Sequence, residues 1–318
     1  MQNKTKKLVN CSRRFGVELE YNSLDKAGRS LAENNLPEGI YIYAQIISNK
    51  LKKQVEINKW HYTNNNKNWV LKPDASCGIE VCSPPLMGSF GTTQVAQVVE
   101  GMAEYRDVSA DVRCSCHVHV EIADFTPQNL VDLFKCWTSY ELFFYFLTSP
   151  SRWLNQYCQP LGFSIPHLSS SSSITASDVI HMLGDYKYYA INLYHYKKGK
   201  KRTVEFRIMD SEACLNPDDV VQWCKLLLCF VERVKSCNLG KSYVKYKSLV
   251  EAIDFLDLHS YFDNSEVSAW IIEKFSRLID NEHLFDKHSN SKYIWNDLLK
   301  VMQPDIKETI KNLEEKIS

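Results

Sequence analysis

Four short segments of this 318-residue chain alternate apolar residues with acids or imidazoles: Phe15–Tyr21, Gly78–Cys82, Cys116–Ile122 and Thr203–Met209. A period of two is that of a strand with one face buried. Successive side chains on a strand point to opposite faces. Glu18 and Glu20 therefore share one face, while Val17, Leu19 and Tyr21 take the other. By the same parity Glu80 opposes Ile79 and Val81, and His117, His119 and Glu121 oppose Val118, Val120 and Ile122. Glu205 and Arg207 oppose Val204, Phe206 and Ile208. One design recurs four times: a greasy face for a core and an acid/imidazole face for something else.

Two readings of that polar face stay open. Taken singly, each strand is an ordinary member of a one-sided antiparallel sheet, its polar residues turned to water. A solvated face, however, mixes Lys, Thr and Ser with Glu, and these faces concentrate Glu and His. Glu18, Glu20, Glu80 and Glu205 brought together would repel unless cations neutralised them. Carboxylates with one imidazole suit Mg²⁺ or Mn²⁺, and a neighbouring Arg207 suits an anionic phosphate. If the strands are adjacent, the face holds the groups that metal-assisted phosphoryl transfer requires. Zinc at Cys114, Cys116, His117 and His119 is opposed by parity, because on a regular strand the thiols face away from the imidazoles.

Helical periodicity begins after Thr126-Pro127 and runs through Leu130, Leu133, Phe134 and Trp137; it begins again near Asn216-Pro217-Asp218 and runs through Val220, Val221, Cys224, Leu227 and Val231. Beyond about Lys241 the strand patterns fade. Glu251–Leu258, Glu266–Leu278, Tyr293–Met302 and Asp305–Ile317 all read as helices. The expectation is an α+β fold with a largely antiparallel sheet, in a catalytic unit over residues 13–237 followed by a helical extension over 238–318. Ser169–Ser173, after Pro160, Gly162 and Pro166, reads as a loop, either a lid over substrate or a surface connection.

Composition narrows the partners. Lys+Arg and Asp+Glu both number 38, so no net field draws the chain to nucleic acid or to an anionic membrane. Its 44 % hydrophobic and 12 % aromatic content excludes disorder as the dominant state. The basic start lacks the apolar stretch of a secretory signal, and the apolar runs Leu142–Leu147 and Leu226–Phe230 are far too short to span a bilayer. Eleven cysteines without a CxxC pair then suggest reduced thiols in a cytoplasmic protein. Cys136, Cys224 and Cys229 fall on apolar helix faces and read as core.

In order along the chain, GVELEY (16–21), WVLKPDAS (69–76), GIEVCSPPLMG (78–88), CHVHVEI (116–122), SPSRWLNQYCQP (149–160), YYAINL (188–193) and TVEFR (203–207) resemble the motifs of the amidoligase family. That family is similar to glutamine synthetase and glutamate–cysteine ligase, in the carboxylate–amine ligase superfamily. The resemblance spans roughly residues 13–235. It implies a curved, mainly antiparallel sheet of the glutamine synthetase-like catalytic type with flanking helices, its concave face holding ATP and two or three divalent ions, Mg²⁺ or Mn²⁺. It further implies that Glu18, Glu20, Glu80, His117 and Glu205 are metal ligands. His119, Lys72 and Arg207 would hold the nucleotide, with Arg207 on the phosphoryl group in transfer. Asp74 would receive the amine or accept its proton. Cys116 and Ala75 stand where relatives carry glycine.

The implied chemistry is an ATP-dependent ligation. A carboxylate does not condense with an amine in water, because oxide is a poor leaving group; phosphorylation makes an acyl phosphate that the amine attacks, giving an amide, ADP and phosphate. Small molecules, peptides or modified nucleobases carrying a carboxylate and an amine are the substrates the resemblance implies, with no membrane partner. A metal-dependent hydrolase of a phosphate ester or amide, and a non-catalytic binding protein on the same fold, are the alternatives. Three lesser signals remain. Lys197–Arg202 reads as a solvated hairpin turn or as a basic rim for an anion. The basic-aromatic stretch Lys241–Lys247 carries the same choice. Arg152 reads as a substrate-carboxylate contact or as a surface ion pair.

Overall fold

The computed structural model describes residues 12–22, 39–58, 67–153, 155–161, 174–237, 247–258, 264–280 and 292–317. The Ser169–Ser173 stretch lies outside them, as do residues 241–246 of the basic-aromatic stretch. The four alternating segments become strands β1 (Phe15–Asn22), β4 (Gly78–Cys82), β5 (Cys116–Glu121) and β7 (Thr203–Met209). Three more strands complete the sheet: β2 (Glu56–Ile57), β3 (Val70–Asp74) and β6 (Ile191–Asn192). Alternation does not advertise these, since β2 and β6 have two residues each and β3 contains Pro73. The order across the sheet is β2-β3-β4-β1-β5-β7-β6, with β2–β3 parallel and every other pair antiparallel. The fold is thus α+β with a mostly antiparallel seven-stranded sheet.

Helices α1 (Ile40–Leu51), α2 (Gly88–Glu104), α3 (Pro127–Phe146), α4 (Ala176–Asp185), α5 (Tyr194–Lys197) and α6 (Pro217–Ser236) alternate with the strands. Helix α3 starts where Thr126 accepts from the Asn129 amide in a capping box with Pro127 at the first turn, and α6 starts where Asn216 accepts from Asp218 and Asp219. Helices α7 (Leu249–Leu256), α8 (Asn264–Asp280) and α9 (Lys292–Ile317) follow. Tyr293–Met302 and Asp305–Ile317 are not separate helices but one, with Pro304 inside it. The proline removes a single amide donor, and the helix continues because Ile306 and Leu313 beyond it remain buried.

The apolar face of the sheet packs against the helices. Val17, Leu19, Tyr21, Val118, Val120, Val204, Phe206 and Ile208 are all at most 1 % exposed. Trp137 of α3 and Phe230 of α6 meet Phe206 with ring centroids 5.4 and 6.1 Å away. Gly101 lets α2 lie close on α1, since a Cβ there would stand 2.8 Å from Lys50 and 3.1 Å from Ile46. The C-terminal helices join the same core: Tyr140 stacks on Phe255 of α7 at 4.8 Å, Phe143 meets Phe275 of α8 at 5.8 Å, and Trp270 Nε1 donates to Asp219 at 2.7 Å. No helix of the described residues is long and apolar enough to cross a membrane.

Arg13 clamps the entry to β1. Its buried guanidinium donates to both Asp124 oxygens at 2.8 and 3.1 Å, to the Glu121 carbonyl and to Glu232 of α6. These bonds hold the Asp124 carboxyl below the usual aspartate range, against burial, with Lys235 assisting. A carboxyl so lowered adds stability above its unfolded pKa, and loses it as pH falls. Arg13→Met is therefore expected to cost about 1 kcal/mol at neutral pH, because both acids are partly exposed and Asp124 keeps Lys235. Urea unfolding of both proteins should show this gap narrowing below about pH 4. A gap as wide in acid as at neutrality would contradict the assignment.

Candidate functional site

Register brings the polar residues of five strands together. Glu18 pairs across to His117, Glu20 to Glu80, His119 to Glu205 and Lys72 to Glu80. Each pair shares a face, so adjacent strands stack their acids and imidazoles in one patch. The patch is buried rather than solvated: Glu20, Glu80, His117, His119 and Glu205 are between 3 and 7 % exposed. Of the two sequence readings of this face, the geometry selects the clustered one. Between Cys116 and Val118 the β5–β7 ladder shifts, so Arg207 and Ile208 together oppose His117. Such a bulge re-aims side chains and frees backbone groups. Arg152 takes the freed carbonyls, donating to Arg207 O at 2.7 Å and Ile208 O at 3.2 Å. Buried under the bulge, it forms no ion pair with a described residue, so it is not the surface ion pair that was one of the two expectations for it.

Hydrogen bonds fix the orientation of His117. Ser115 Oγ donates to Glu20 Oε2 at 2.7 Å and lies 2.7 Å from His117 Nε2. With its one proton on Glu20, that hydroxyl accepts from Nε2–H, which leaves the lone pair on Nδ1. Nδ1 faces Glu18 Oε2 and Glu205 Oε1, each at 3.8 Å, and receives Arg207 Nη1 at 3.4 Å. Donor atoms of Glu18, His117 and Glu205 lie within 4.8 Å of one another, as do those of Glu18, Glu80 and Cys82. Glu18 belongs to both groups. His119 Nδ1 is 3.3 Å from Thr203 Oγ1, and its Nε2 lies 3.1 Å from Glu18 Oε1 without hydrogen-bond alignment, a buried atom with no partner among the described residues. Two carboxylates around the Nδ1 lone pair of His117, with a further orphaned imidazole nitrogen, fit a divalent cation.

The patch supplies its own counter-charges. Lys201 Nζ reaches Glu18 at 3.0 Å, Lys72 Nζ reaches Glu80 at 3.1 Å and Arg207 pairs with Glu205. Burial would raise the Glu18 carboxyl, but His119 and Lys201 hold it well below the usual range. Burial is likewise opposed at Glu205, which Arg207 and the two histidines bring down to about 2. At Glu80, burial and the nearby Glu18 prevail over Lys72 and push the carboxyl up to about 8. Three cations thus face four carboxylates, and the raised carboxyl of Glu80 lets a proton serve in place of a fourth cation.

Asp74 stands apart from this patch. It ends β3 at the turn into β4, where its Oδ1 accepts from the Ser76 amide at 2.7 Å, from the Cys77 amide at 3.2 Å and from the Ser76 hydroxyl. Burial notwithstanding, those bonds keep its carboxyl below the usual range. In the Lys197–Arg202 segment Gly199, at φ +66°, turns the chain as expected, and Lys201 reaches into the patch to pair with Glu18. Sequence reasoning passed over Cys82, Ser115, Asn192, Lys201 and His195. Parity with Glu80 signals Cys82. Asn192 donates to Glu205 at 3.1 Å, and His195 brings its ring 5.8 Å from His119, where burial lowers its pKa to about 4. Both come from the segment before β7, which no alternation marks.

The profile of the family described as "Putative amidoligase enzyme" matches residues 11–231. Among solved structures, a bifunctional glutathione synthetase from Pasteurella multocida is similar at 10 % identity and a TM-score of 0.41, over 96 % of this chain and 47 % of that one. The chain spans about half the length of that enzyme. No curated protein sequence matches.

Because Glu18 serves both donor groups, Glu18→Gln is expected to weaken Mn²⁺ binding by about 100-fold. Electron paramagnetic resonance of free Mn²⁺ during titration measures this. Equal binding by the variant and the wild type would show that the ion sits elsewhere.

Proposed function

The chain belongs to the amidoligase family, and on that premise we propose that it is an ATP-dependent carboxylate–amine ligase that forms an amide or isopeptide bond through an acyl phosphate. The observation that carries the reading is the inward lone pair of His117 between Glu18 and Glu205, with Arg207 alongside. Glu18, Glu20, Glu80, His117 and Glu205 would hold Mg²⁺ or Mn²⁺, which when bound neutralises phosphate oxygens.

The remaining roles belong to the chain itself. Arg207 is held by Glu205 and by the Tyr157 carbonyl, to which its Nε donates at 3.3 Å. Burial would lower the Arg207 pKa, but Glu205 raises it, so the guanidinium stays charged. From that position it offsets charge on the transferring phosphoryl group. His119 donates to the nucleotide phosphates once it turns from Glu18, and Lys72 reaches them once released from Glu80. Asp74, already ionised and fixed by its turn, receives the amine as an ammonium and orients it; Oδ2 is the oxygen its turn does not use. Asp74 Oδ2 accepts a proton from the ammonium, and the freed amine then attacks the acyl phosphate, with phosphate leaving. Substrates are small molecules, peptides or modified nucleobases bearing a carboxylate and an amine, met in the cytoplasm, where free thiols persist.

The test is ADP release with Mg²⁺, ATP and pooled amino acids or peptides. Amine-dependent ADP formation is expected, and Arg207→Ala should lower its kcat by about 1,000-fold without loss of the folded state seen by circular dichroism. Turnover of an ester or amide without ATP would overturn the ligase reading in favour of a hydrolase. Wild-type rates in Arg207→Ala would remove the reaction from this face.

A further inference from the structure

We propose that Cys82 completes a second cation position on the polar face, one that takes a thiophilic divalent ion such as Zn²⁺ or Cd²⁺ in preference to Mg²⁺. The inference rests on reading this face as metal-binding and deepens it.

Register places the thiol. Glu18 and Cys82 are direct partners across β1 and β4, and Glu80 lies two residues before Cys82 on the same side of its strand. Donor atoms of the three residues fall within 4.8 Å of one another. Ligands of a tetrahedral ion at ordinary metal–donor lengths stand about 3.5 Å apart, so side-chain shifts of about an ångström close the group around one ion. Cys82 is only partly buried, which leaves the position reachable from solvent. This is a different place from the Cys114–His119 run, where Cys116 points into the apolar core.

A second observation points to a ligand. His119 is 4 % exposed, and its Nε2 approaches the shared Glu18 carboxylate to 3.1 Å without forming a hydrogen bond. An ion seated between Nε2 and that carboxylate would give the orphaned atom a partner. The group therefore offers two carboxylates, a thiol and a nearby imidazole.

Donor chemistry sets the preference. Mg²⁺ is a hard ion that favours oxygen, whereas Zn²⁺ and Cd²⁺ bind thiolate strongly. As the metal–sulfur bond forms, the thiol proton, now shared with Glu80 Oε1 at 3.2 Å, passes to solvent. Any proton that Glu80 holds leaves with it, and nothing is oxidised or reduced. Lys72 and Lys201, paired with Glu80 and Glu18, are the charges that the entering ion displaces.

The test is a Cd²⁺ titration of the metal-stripped full chain, followed by thiolate-to-cadmium charge-transfer absorption. The wild type should gain a saturable band that Cys82→Ser lacks. The same substitution should lower Cd²⁺ affinity about 100-fold and change Mg²⁺ affinity by less than about twofold. Cys82→Asp, which keeps a donor but not sulfur, is expected to bind Mg²⁺ without the band, and it carries the test if the serine variant does not fold. A band of equal strength in Cys82→Ser overturns the proposal. So does its absence from a wild type that binds Mn²⁺. A wild type that binds neither Mn²⁺ nor Cd²⁺ refutes instead the metal-binding reading of the whole face.

Discussion

A slip of one residue between β1 and β5 would carry Glu18 and Glu20 into the core and turn Val17, Leu19 and Tyr21 outward. The pairing of β1 with its two neighbours is therefore the constraint on which the site depends. The strand's apolar face and its first residues enforce it. On the apolar side, the slip would forfeit the burial of three large side chains and the bond from Tyr21 to the Cys214 carbonyl at 2.8 Å. At its start, Arg13 ties the strand to the turn after β5 and to α6. The polar residues need only occupy alternate positions; the hydrophobic core supplies their alignment.

This division explains what could be read from the sequence. Burial of one face writes itself into local alternation, so β1, β4, β5 and β7 and the carboxylates and imidazoles they carry were legible, as were α3 and α6 from their caps and apolar stripes. Contacts that reach across the chain leave no such trace. Helix α2 spends glycines and threonines where it crowds α1 and β1, so its composition resembles a loop. Helix α1 lies in an Asn/Lys-rich stretch whose stripe of Ile40, Tyr43, Ala44 and Ile47 is blurred by further apolar residues, Tyr41, Ile42 and Ile46, on its other faces. Nor does any local pattern reveal that Lys201 would meet Glu18, or that Arg152 would fill a gap left by a bulge 55 residues away. Cys82 is the exception, since the rule that placed Glu80 on the polar face placed the thiol there too.

The site also illustrates how a folded chain tolerates a knot of acids. Four buried carboxylates could not persist together as bare charges. Here each is answered by a separate means: an ammonium for Glu18, a guanidinium for Glu205, a hydroxyl for Glu20, and for Glu80 a lysine together with a carboxyl that retains its proton to near pH 8. The groups that satisfy the acids are drawn from β3, from the segment before β5, and from β7 and its approach, so the patch is stitched from the whole breadth of the sheet.

Those resident lysines separate folding from loading. In proteins whose acidic or thiolate ligands lack internal counter-ions, the chain collapses only once metal arrives, and chelators unfold it. A chain that carries its own ammonium groups to the ligands can finish folding in the absence of any ion and wait. If ions bind as proposed, loading would be an exchange, in which each incoming ion displaces a tethered cation that stays close enough to return, and a chelator applied to the loaded protein would empty it without denaturing it.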